Sequence, residues 1–194
     1  PGPGPRAILR AVSPTAPDTL LLCIDLQTVF LGAMADSARL QARCAFAIEA
    51  AAGLGVPAFF TEQVPAKLGA TDPAFRALAP QAEAYGKDSF SAFGDDKITR
   101  RLQEIGAEHL LICGLETPVC VYQTAVAALR NEYQVTILTD CVGARRPDDA
   151  AAALAALARA GCHLLPAETV FYAILNDARH PFFRAYTGLV KKYA

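Results

Sequence analysis

Three side chains of this sequence have the types and positions that a hydrolase with a cysteine nucleophile requires. Asp25 follows the apolar run 20–24, Lys87 lies in the middle of the chain, and Cys120 follows a second apolar run at 110–113 and a glycine. A carboxylate beside a thiol can accept its proton, and an ammonium group beside both favours their ionised forms. Asp25, Lys87 and Cys120 are therefore the candidate catalytic residues.

The residues before Cys120 indicate the start of a helix. Thr117 is a favourable N-cap, and Pro118 suits the first helical position, where no backbone N–H is needed. Cys120 would then lie in the first turn, where unpaired N–H groups and the helix dipole favour a thiolate. Taken alone, a cysteine in apolar surroundings more often only packs, and an aspartate at a strand end often caps a turn. The spacing of these three residues along the sequence does not show that their side chains meet in the fold.

Strand-like and helix-like segments alternate along the chain and must position these residues. Five apolar runs predict core strands, at 19–25, 58–61, 109–113, 134–140 and 162–165. A short strand or a structured loop is expected at 87–93. Helices are predicted at 35–52, 95–105, 118–131 and 147–160, followed by a helical tail over 168–194 with a break at His180. That order predicts an α/β fold: a three-layer, open parallel sheet of about six strands with helices on both faces.

Composition limits the class of protein. The chain has 194 residues, 53% of them hydrophobic, and a net charge of −1. This size fits one domain with a substantial core, and we assign 1–18 to a flexible N-terminal segment and 19–194 to a single domain. The weak charge predicts neither a nucleic-acid nor a membrane partner, and no apolar run has the length of a bilayer span. No signal-peptide pattern is visible, so we predict a cytoplasmic protein.

The six cysteines predict free thiols rather than a disulfide framework. Cys23, Cys113 and Cys141 lie in or beside apolar runs, where cysteine behaves as a small hydrophobic residue. The sequence has no C-x-x-C pair, and its three histidines are scattered. The pattern predicts a reducing compartment and neither a metal site nor a cofactor.

At the candidate residues the sequence resembles the isochorismatase-like cysteine hydrolase superfamily, and most of all its branch of isochorismatase domain-containing proteins. The resemblance begins near Thr19 and covers nearly the whole chain. It rests on separated blocks in the correct order: CIDLQ at 23–27, TEQ at 61–63, Lys87 with SF at 89–90, and GLETPVCV at 114–121. The closing segment 175–183 resembles that branch in particular.

The resemblance implies a catalytic triad and an oxyanion hole. The Asp–Lys–Cys triad maps onto Asp25, Lys87 and Cys120. A non-proline cis peptide bond is implied between Leu115 and Glu116, and it would aim the N–H of Glu116, with that of Cys120, at the substrate oxyanion. The predicted pocket walls are Gln27, Phe30, Gln63 and Phe90.

The implied activity is metal-independent hydrolysis of an amide-type C–N bond of a small molecule through a thioester on Cys120. Nicotinamidases of this superfamily carry a metal-binding Asp/His cluster after the second strand, but 61–69 contains no histidine. Isochorismate cleavage does not need the cysteine, so Cys120 argues against it. Phosphotransfer on Asp25 is disfavoured because position 27 is Gln27 rather than a second aspartate.

Two further expectations complete the prediction. The alternative function is a catalytically weak binding or scaffolding protein that retains the fold and the triad. A homo-oligomer, a dimer or higher, is expected because the apolar tail and the alanine-rich helices offer more hydrophobic surface than a small monomer usually exposes.

Overall fold

The computed structural model describes residues 18–194, which are organised around a sheet of six parallel strands. The strands are β1 (Thr19–Ile24), β2 (Ala58–Gln63), β3 (Glu83–Lys87), β4 (His109–Leu115), β5 (Gln134–Gly143) and β6 (His163–Leu165). Their order across the sheet is β3-β2-β1-β4-β5-β6, and all neighbouring strands are parallel. The predicted α/β class and parallel sheet are confirmed. The flexible segment predicted at 1–18 lies outside the described residues except for Asp18, so the domain boundary stays a prediction.

Helices cover both faces of the sheet. Those of the described residues are α1 (Thr28–Leu31), α2 (Ser37–Gly53), α3 (Pro65–Leu68), α4 (Pro73–Leu78), α5 (Asp96–Ile105), α6 (Tyr122–Arg130), α7 (Pro147–Ala160), α8 (Ala167–Leu175) and α9 (Phe183–Lys192). One face of the sheet packs against α2, α4, α8 and α9, and the other against α5, α6 and α7. Across 18–194, every helix is too short or too polar to cross a membrane.

Strand β1 is buried along its whole length because it lies inside the sheet with helices on both sides. Leu21 and Cys23 face the layer that contains α2, whereas Leu20 and Leu22 face the layer that contains α5. This alternation is the period of two that side chains follow along a strand. Strand β4 lies on the other side of β1 from β2, so the chain changes direction across the sheet at this point. Where the strand order reverses in this way, a crevice forms beside the carboxyl ends of the two strands, and parallel sheets bind ligands there. Asp25 lies at the edge of this crevice.

Gly114 allows the end of β4 to lie against the end of β1. Its φ of 138° is in the region that favours glycine. A Cβ at this position would collide with the carbonyl oxygen of Ile24. The register between β4 and β5 also shifts between Ile112 and Gly114, an irregularity of the kind that redirects a strand. Glycine at 114 therefore keeps the turn that carries Cys120 beside the strand that carries Asp25.

Two of the elements whose bounds differ from the sequence prediction carry residues of the site. Strand β3 ends at Lys87 instead of beginning there, and 88–93 contains bends that lead into a 3₁₀ turn at Ala92–Gly94. The helical segment after β4 begins with a π-helical turn at Thr117–Val121, and regular α-helix starts only at Tyr122. Both differences lie at the site, where strand ends and turns place the candidate residues.

The C-terminal tail forms two helices, α8 and α9, and the segment between them contains His180, where the break was predicted. Tyr186 of α9 is fully buried and packs on Phe46 of α2, with ring centroids 5.8 Å apart. Lys192 Nζ donates to Glu49 Oε1 at 2.8 Å, which ties the end of α9 to α2 as well. Part of the apolar surface of the tail is therefore covered within the chain.

Candidate active site

Asp25, Lys87 and Gln63 meet at the carboxyl ends of the adjacent strands β1, β3 and β2. Lys87 Nζ donates to Asp25 Oδ2 at 2.8 Å and to Gln63 Oε1 at 2.6 Å. Asp25 Oδ1 accepts a hydrogen bond from the Thr61 hydroxyl at 2.8 Å. Asp25 is 1% and Lys87 2% exposed, so the two charges compensate each other away from water. Such a pair is stable as a unit, because removing either member leaves a buried charge without its partner.

Gln63 connects this ion pair to Cys120. Its Oε1, which accepts from Lys87, also accepts a long hydrogen bond from the Cys120 thiol, with Sγ at 3.8 Å. Gln63 Nε2 donates to the carbonyl oxygen of Asp88 at 2.8 Å, and this contact fixes the amide orientation because only the nitrogen can donate. The sequence placed Gln63 in the pocket wall but missed its bridging position. The TEQ block at 61–63 was its only signal.

Cys120 is buried, and its thiol stays protonated near neutral pH. Burial is the main cause that raises the pKa of the Cys120 thiol to about 12; the charge of Asp25 raises it further, and Lys87 acts in the opposite direction. The expectation of an acidic thiol is therefore wrong, because loss of hydration and a facing carboxylate outweigh the ammonium group. A thiol in this environment needs a base to become a nucleophile, and Asp25 lines the same cavity.

The turn before Cys120 obtains its shape from a left-handed residue. The peptide bond between Leu115 and Glu116 is trans, because 18–194 contains no cis peptide bond, so the predicted cis bond is wrong. Glu116 instead adopts φ 55° and ψ 62°, and this conformation turns the chain as it leaves β4. Thr117 is not the N-cap: its buried Oγ1 has no hydrogen-bond partner within 18–194. The N–H of Val119 donates to the carbonyl oxygen of Glu116 at 2.8 Å.

Three non-glycine residues with positive φ surround the site. Asp25 has φ 53°, Val64 φ 41° and Glu116 φ 55°, and they follow the ends of β1, β2 and β4. Left-handed backbone is uncommon outside glycine and is costly for a β-branched residue such as Val64. Strained backbone of this kind persists where the surroundings enforce it, and it concentrates at functional sites.

A cavity of about 130 Å³ opens beside Cys120. Its lining consists of Asp25, Phe30, Gln63, Phe90, Leu115, Glu116, Val119, Cys120 and Arg145. The structure thus brings the predicted base, the predicted nucleophile and three of the four predicted pocket residues to one cavity. Its volume is close to that of cavities of about 150 Å³ that bind benzene, so the site suits a small molecule.

Gln27 does not line the cavity, and the prediction that it does is wrong. The residue is fully buried, and its amide binds the main chain of the loop after β2. Nε2 donates to the carbonyl oxygens of Gln63 at 3.0 Å and Gly69 at 2.5 Å, while Oε1 accepts from the N–H of Gln63 at 2.7 Å. Because both ends of the amide are engaged in this way, Gln27 positions Gln63 instead of contacting a ligand.

Arg145 is a pocket residue that sequence reasoning missed. It follows β5, and its Nε donates to Glu116 Oε1 at 2.7 Å. Glu116 is 7% exposed, so the guanidinium compensates a carboxylate that is almost removed from water. The sequence shows two adjacent arginines, Arg145 and Arg146, and nothing in their spacing indicates which one faces the cavity.

The residues around the site do not form a metal centre. In the part of the chain that the structure describes, no group of three His, Cys, Asp or Glu side chains has an arrangement that could hold an ion. All six cysteines are buried free thiols, as the apolar runs around Cys23, Cys113 and Cys141 predicted. The arrangement therefore offers a thiol, a carboxylate and an ammonium group for acyl-transfer chemistry.

Comparison with known proteins identifies the family. A family model of the isochorismatase domain matches residues 19–169. The chain belongs to the isochorismatase family. Isochorismatase domain-containing protein 2 of Xenopus laevis is 31% identical over 176 residues, which cover 90% of this chain and 84% of that protein. Mouse isochorismatase domain-containing protein 2A is 29% identical over 187 residues, covering 96% of this chain and 88% of the relative.

Solved structures share the architecture. MAR1 ribonuclease from Caenorhabditis elegans has a TM-score of 0.85 at 26% identity, covering 93% of this chain and 92% of that one. The YcaC protein of Escherichia coli, described as an octameric hydrolase of unknown specificity, has a TM-score of 0.81 at 21% identity, covering 92% and 94% of the two chains. The second likeness concerns the fold alone. The isochorismatase-like fold predicted from the sequence is confirmed.

Proposed function

We propose that this member of the isochorismatase family is a cysteine hydrolase that cleaves the amide-type C–N bond of a small molecule through a thioester on Cys120. The proposal rests on one juxtaposition: the buried Asp25–Lys87 ion pair adjoins a protonated thiol at a small cavity. The carboxylate supplies a base to a thiol that burial keeps neutral, and the ammonium group compensates the charge of that carboxylate at 2.8 Å. These side chains carry every step without a metal ion.

Acylation begins when Asp25 accepts the proton of Cys120. The thiolate attacks the amide carbonyl carbon and forms the C–S bond, and the backbone N–H of Cys120 stabilises the oxyanion. Because the bond between Leu115 and Glu116 is trans, the N–H of Glu116 is not assigned to this role. The C–N bond then breaks as Asp25 returns the proton to the leaving nitrogen, which departs as ammonia or an amine. Lys87 stays charged and offsets the negative charge that alternates between Asp25 and the sulfur.

Water completes the reaction. Asp25 accepts a proton from a water molecule, and the resulting hydroxide attacks the thioester carbonyl. The C–S bond breaks, and the sulfur recovers its proton from Asp25 as the acid product leaves. The net reaction consumes one amide and one water and releases one acid and one amine.

Cys120→Ala tests the thioester route. On any amide that the wild-type protein hydrolyses in a panel of small primary amides, the substitution is expected to reduce ammonia release by at least about 10²-fold, because the nucleophile is lost. Cys162→Ala is the matched control: Cys162 is also a buried free thiol, but it does not line the cavity, and its loss should leave ammonia release within about twofold.

Two outcomes would contradict the proposal. Turnover that survives in Cys120→Ala would rule out a thioester on this residue. A wild-type protein that hydrolyses nothing in the panel, although it is folded, would favour the binding or scaffolding alternative.

The substrate is proposed to be a small molecule rather than a nucleic acid. The relative from Caenorhabditis elegans is described as a ribonuclease. In the present chain the cavity has a volume of about 130 Å³, and the net charge of −1 provides no field that would attract a polyanion. Both properties favour a compact substrate.

We also propose a homo-oligomer located in the cytoplasm. The YcaC relative is an octamer, and two large apolar side chains of this chain, Val29 and Phe90, are 51% and 53% exposed. A second copy that covers them would remove this surface from water. Sedimentation at micromolar concentration is expected to show a dimer or a larger species, and a clean monomer would contradict the idea. The free thiols fit a reducing compartment.

A further inference from the structure

The cavity beside Cys120 is lined by three charged side chains, of which one is open to solvent. Asp25 is bound by Lys87, and Glu116 by Arg145. Asp25 and Glu116 are 1% and 7% exposed, whereas the side chain of Arg145 is 63% exposed. An incoming molecule therefore meets the guanidinium of Arg145 before it meets either carboxylate.

The guanidinium of Arg145 has unused donors. Its Nε donates to Glu116 Oε1, and neither Nη1 nor Nη2 has a hydrogen-bond partner within 18–194. A guanidinium carries five N–H donors in a rigid planar fork, so its two terminal nitrogens can bind both oxygens of a carboxylate. Glu116 accepts from Nε of the same group at 2.7 Å and so restricts its orientation.

The adjacent Arg146 is used differently. It precedes α7, its side chain is 79% exposed, and its Nε donates to Asp149 Oδ2 at 2.6 Å. Arg146 does not line the cavity. The chain therefore offers two neighbouring arginines with ion pairs of similar geometry, only one of which reaches the site.

We propose that the substrate of the hydrolysis carries a carboxylate, which Arg145 binds through Nη1 and Nη2 while the amide carbonyl faces Cys120. This inference rests on the proposed function and adds a substrate class to it: short-chain monoamides of dicarboxylic acids. The walls formed by Phe30, Phe90 and Val119 contact the carbon chain between the two groups. Arg145 acts as a binding residue that sets specificity, and no bond breaks at it.

A matched pair of amides tests this assignment. Succinamate and butyramide have the same primary amide, and the carboxylate of the first is replaced by a methyl group in the second. The wild-type protein is expected to have the higher kcat/KM for succinamate. Arg145→Gln should reduce the succinamate-to-butyramide ratio of kcat/KM by about 30- to 100-fold, mainly through KM, because charge-assisted hydrogen bonds to the carboxylate are lost.

Two variants show whether the loss belongs to this side chain. Arg146→Gln should leave the ratio within about twofold, because it removes an equal charge outside the cavity. Arg145→Lys should restore part of the ratio, since a lysine supplies the charge without the fork. A wild-type protein with no preference for succinamate, or a ratio that is the same in Arg145→Gln, would overturn the inference.

Binding without turnover separates this inference from the proposed chemistry. Succinamate is expected to bind the Cys120→Ala protein in a calorimetric titration, with an affinity that falls at least about tenfold when Arg145→Gln is added and stays the same when Arg146→Gln is added. If this pattern holds while the wild-type protein hydrolyses no amide, the hydrolase proposal fails and the carboxylate site stands. If amides are hydrolysed but succinamate does not depend on Arg145 in either experiment, the carboxylate site fails alone.

Discussion

Asp25→Asn is expected to slow amide hydrolysis but to speed the alkylation of Cys120. Turnover of an accepted amide should fall by up to about 10⁴-fold, because the thiol loses its general base. Alkylation of Cys120 by iodoacetamide should become faster, because the Asp25 charge that raises the pKa of this thiol is removed. Near pH 8 the thiolate fraction, and with it the alkylation rate, rises about tenfold for each unit by which that pKa falls.

The direction of the pH dependence follows from the same charges. In the wild-type protein the pKa of Cys120 is raised to about 12, so alkylation should increase with pH across the whole neutral and mildly alkaline range. In Asp25→Asn the charge of Lys87 is no longer opposed by Asp25, although burial and Glu116 still raise the pKa of Cys120, and the same rise in alkylation should occur at lower pH. Lys87→Met should shift it to higher pH. Mass mapping of the Cys120 peptide over about pH 6 to 10 measures all three.

Cys23 and Cys141 supply an internal control. Burial raises the pKa of Cys23 and Cys141 well above the usual value, and neither lies in the cavity, so their labelling should stay slow in every variant. The opposite result is that Asp25→Asn lowers both the alkylation of Cys120 and turnover. Asp25 would then activate the thiol of the resting protein, and the conclusion that the Asp25 charge raises the pKa of Cys120 would be refuted.

The strands that are easiest to predict from the sequence are those that are buried on both faces, because such strands consist mainly of apolar residues. Strands β1 and β4 are buried on both faces and read as continuous apolar runs. Strand β3 is at the edge of the sheet, where Glu83 and Tyr85 alternate with more exposed residues and Gly86 interrupts the pattern. An edge strand of this composition resembles a loop, which is why Lys87 was expected near the start of the segment instead of at its end.

The site was predictable as a set of positions but not as a set of contacts. Asp25 and Cys120 follow recognisable apolar strands, Lys87 was proposed beside them for its residue type, and the family resemblance implied the same three residues. The contacts of Gln63 and Arg145 depend on which strand ends become neighbours, and local sequence does not contain that information. The same holds for the Cys120 thiol, whose pKa depends on burial and on a carboxylate from another strand. The left-handed backbone at Glu116 was equally hidden, since only glycine marks such a conformation in a sequence.

Lys87→Met is expected to destabilise the fold by about 3–5 kcal/mol, because it leaves the Asp25 carboxylate buried without its counter-ion. Asp25 would keep the Thr61 hydroxyl as its hydrogen-bond donor, which cannot replace a full charge. Urea unfolding measures the change in the free energy of unfolding. Lys97→Met is the matched control: Lys97 is an exposed lysine, and its replacement should change stability by no more than about 0.5 kcal/mol.

The double variant Asp25→Asn/Lys87→Met shows whether the loss comes from an unpaired charge. Asp25→Asn alone leaves the Lys87 ammonium buried with Gln63 Oε1 as its acceptor, and it should be destabilised too. With both charges removed, the loss in the free energy of unfolding should be smaller than the sum of the two single losses by about 2 kcal/mol or more. Each single variant leaves one buried charge without a partner, whereas the double variant leaves none. Additive losses would mean that the two side chains stabilise the fold independently. The ion pair would then not be what holds the Asp25 carboxylate in place beside the thiol.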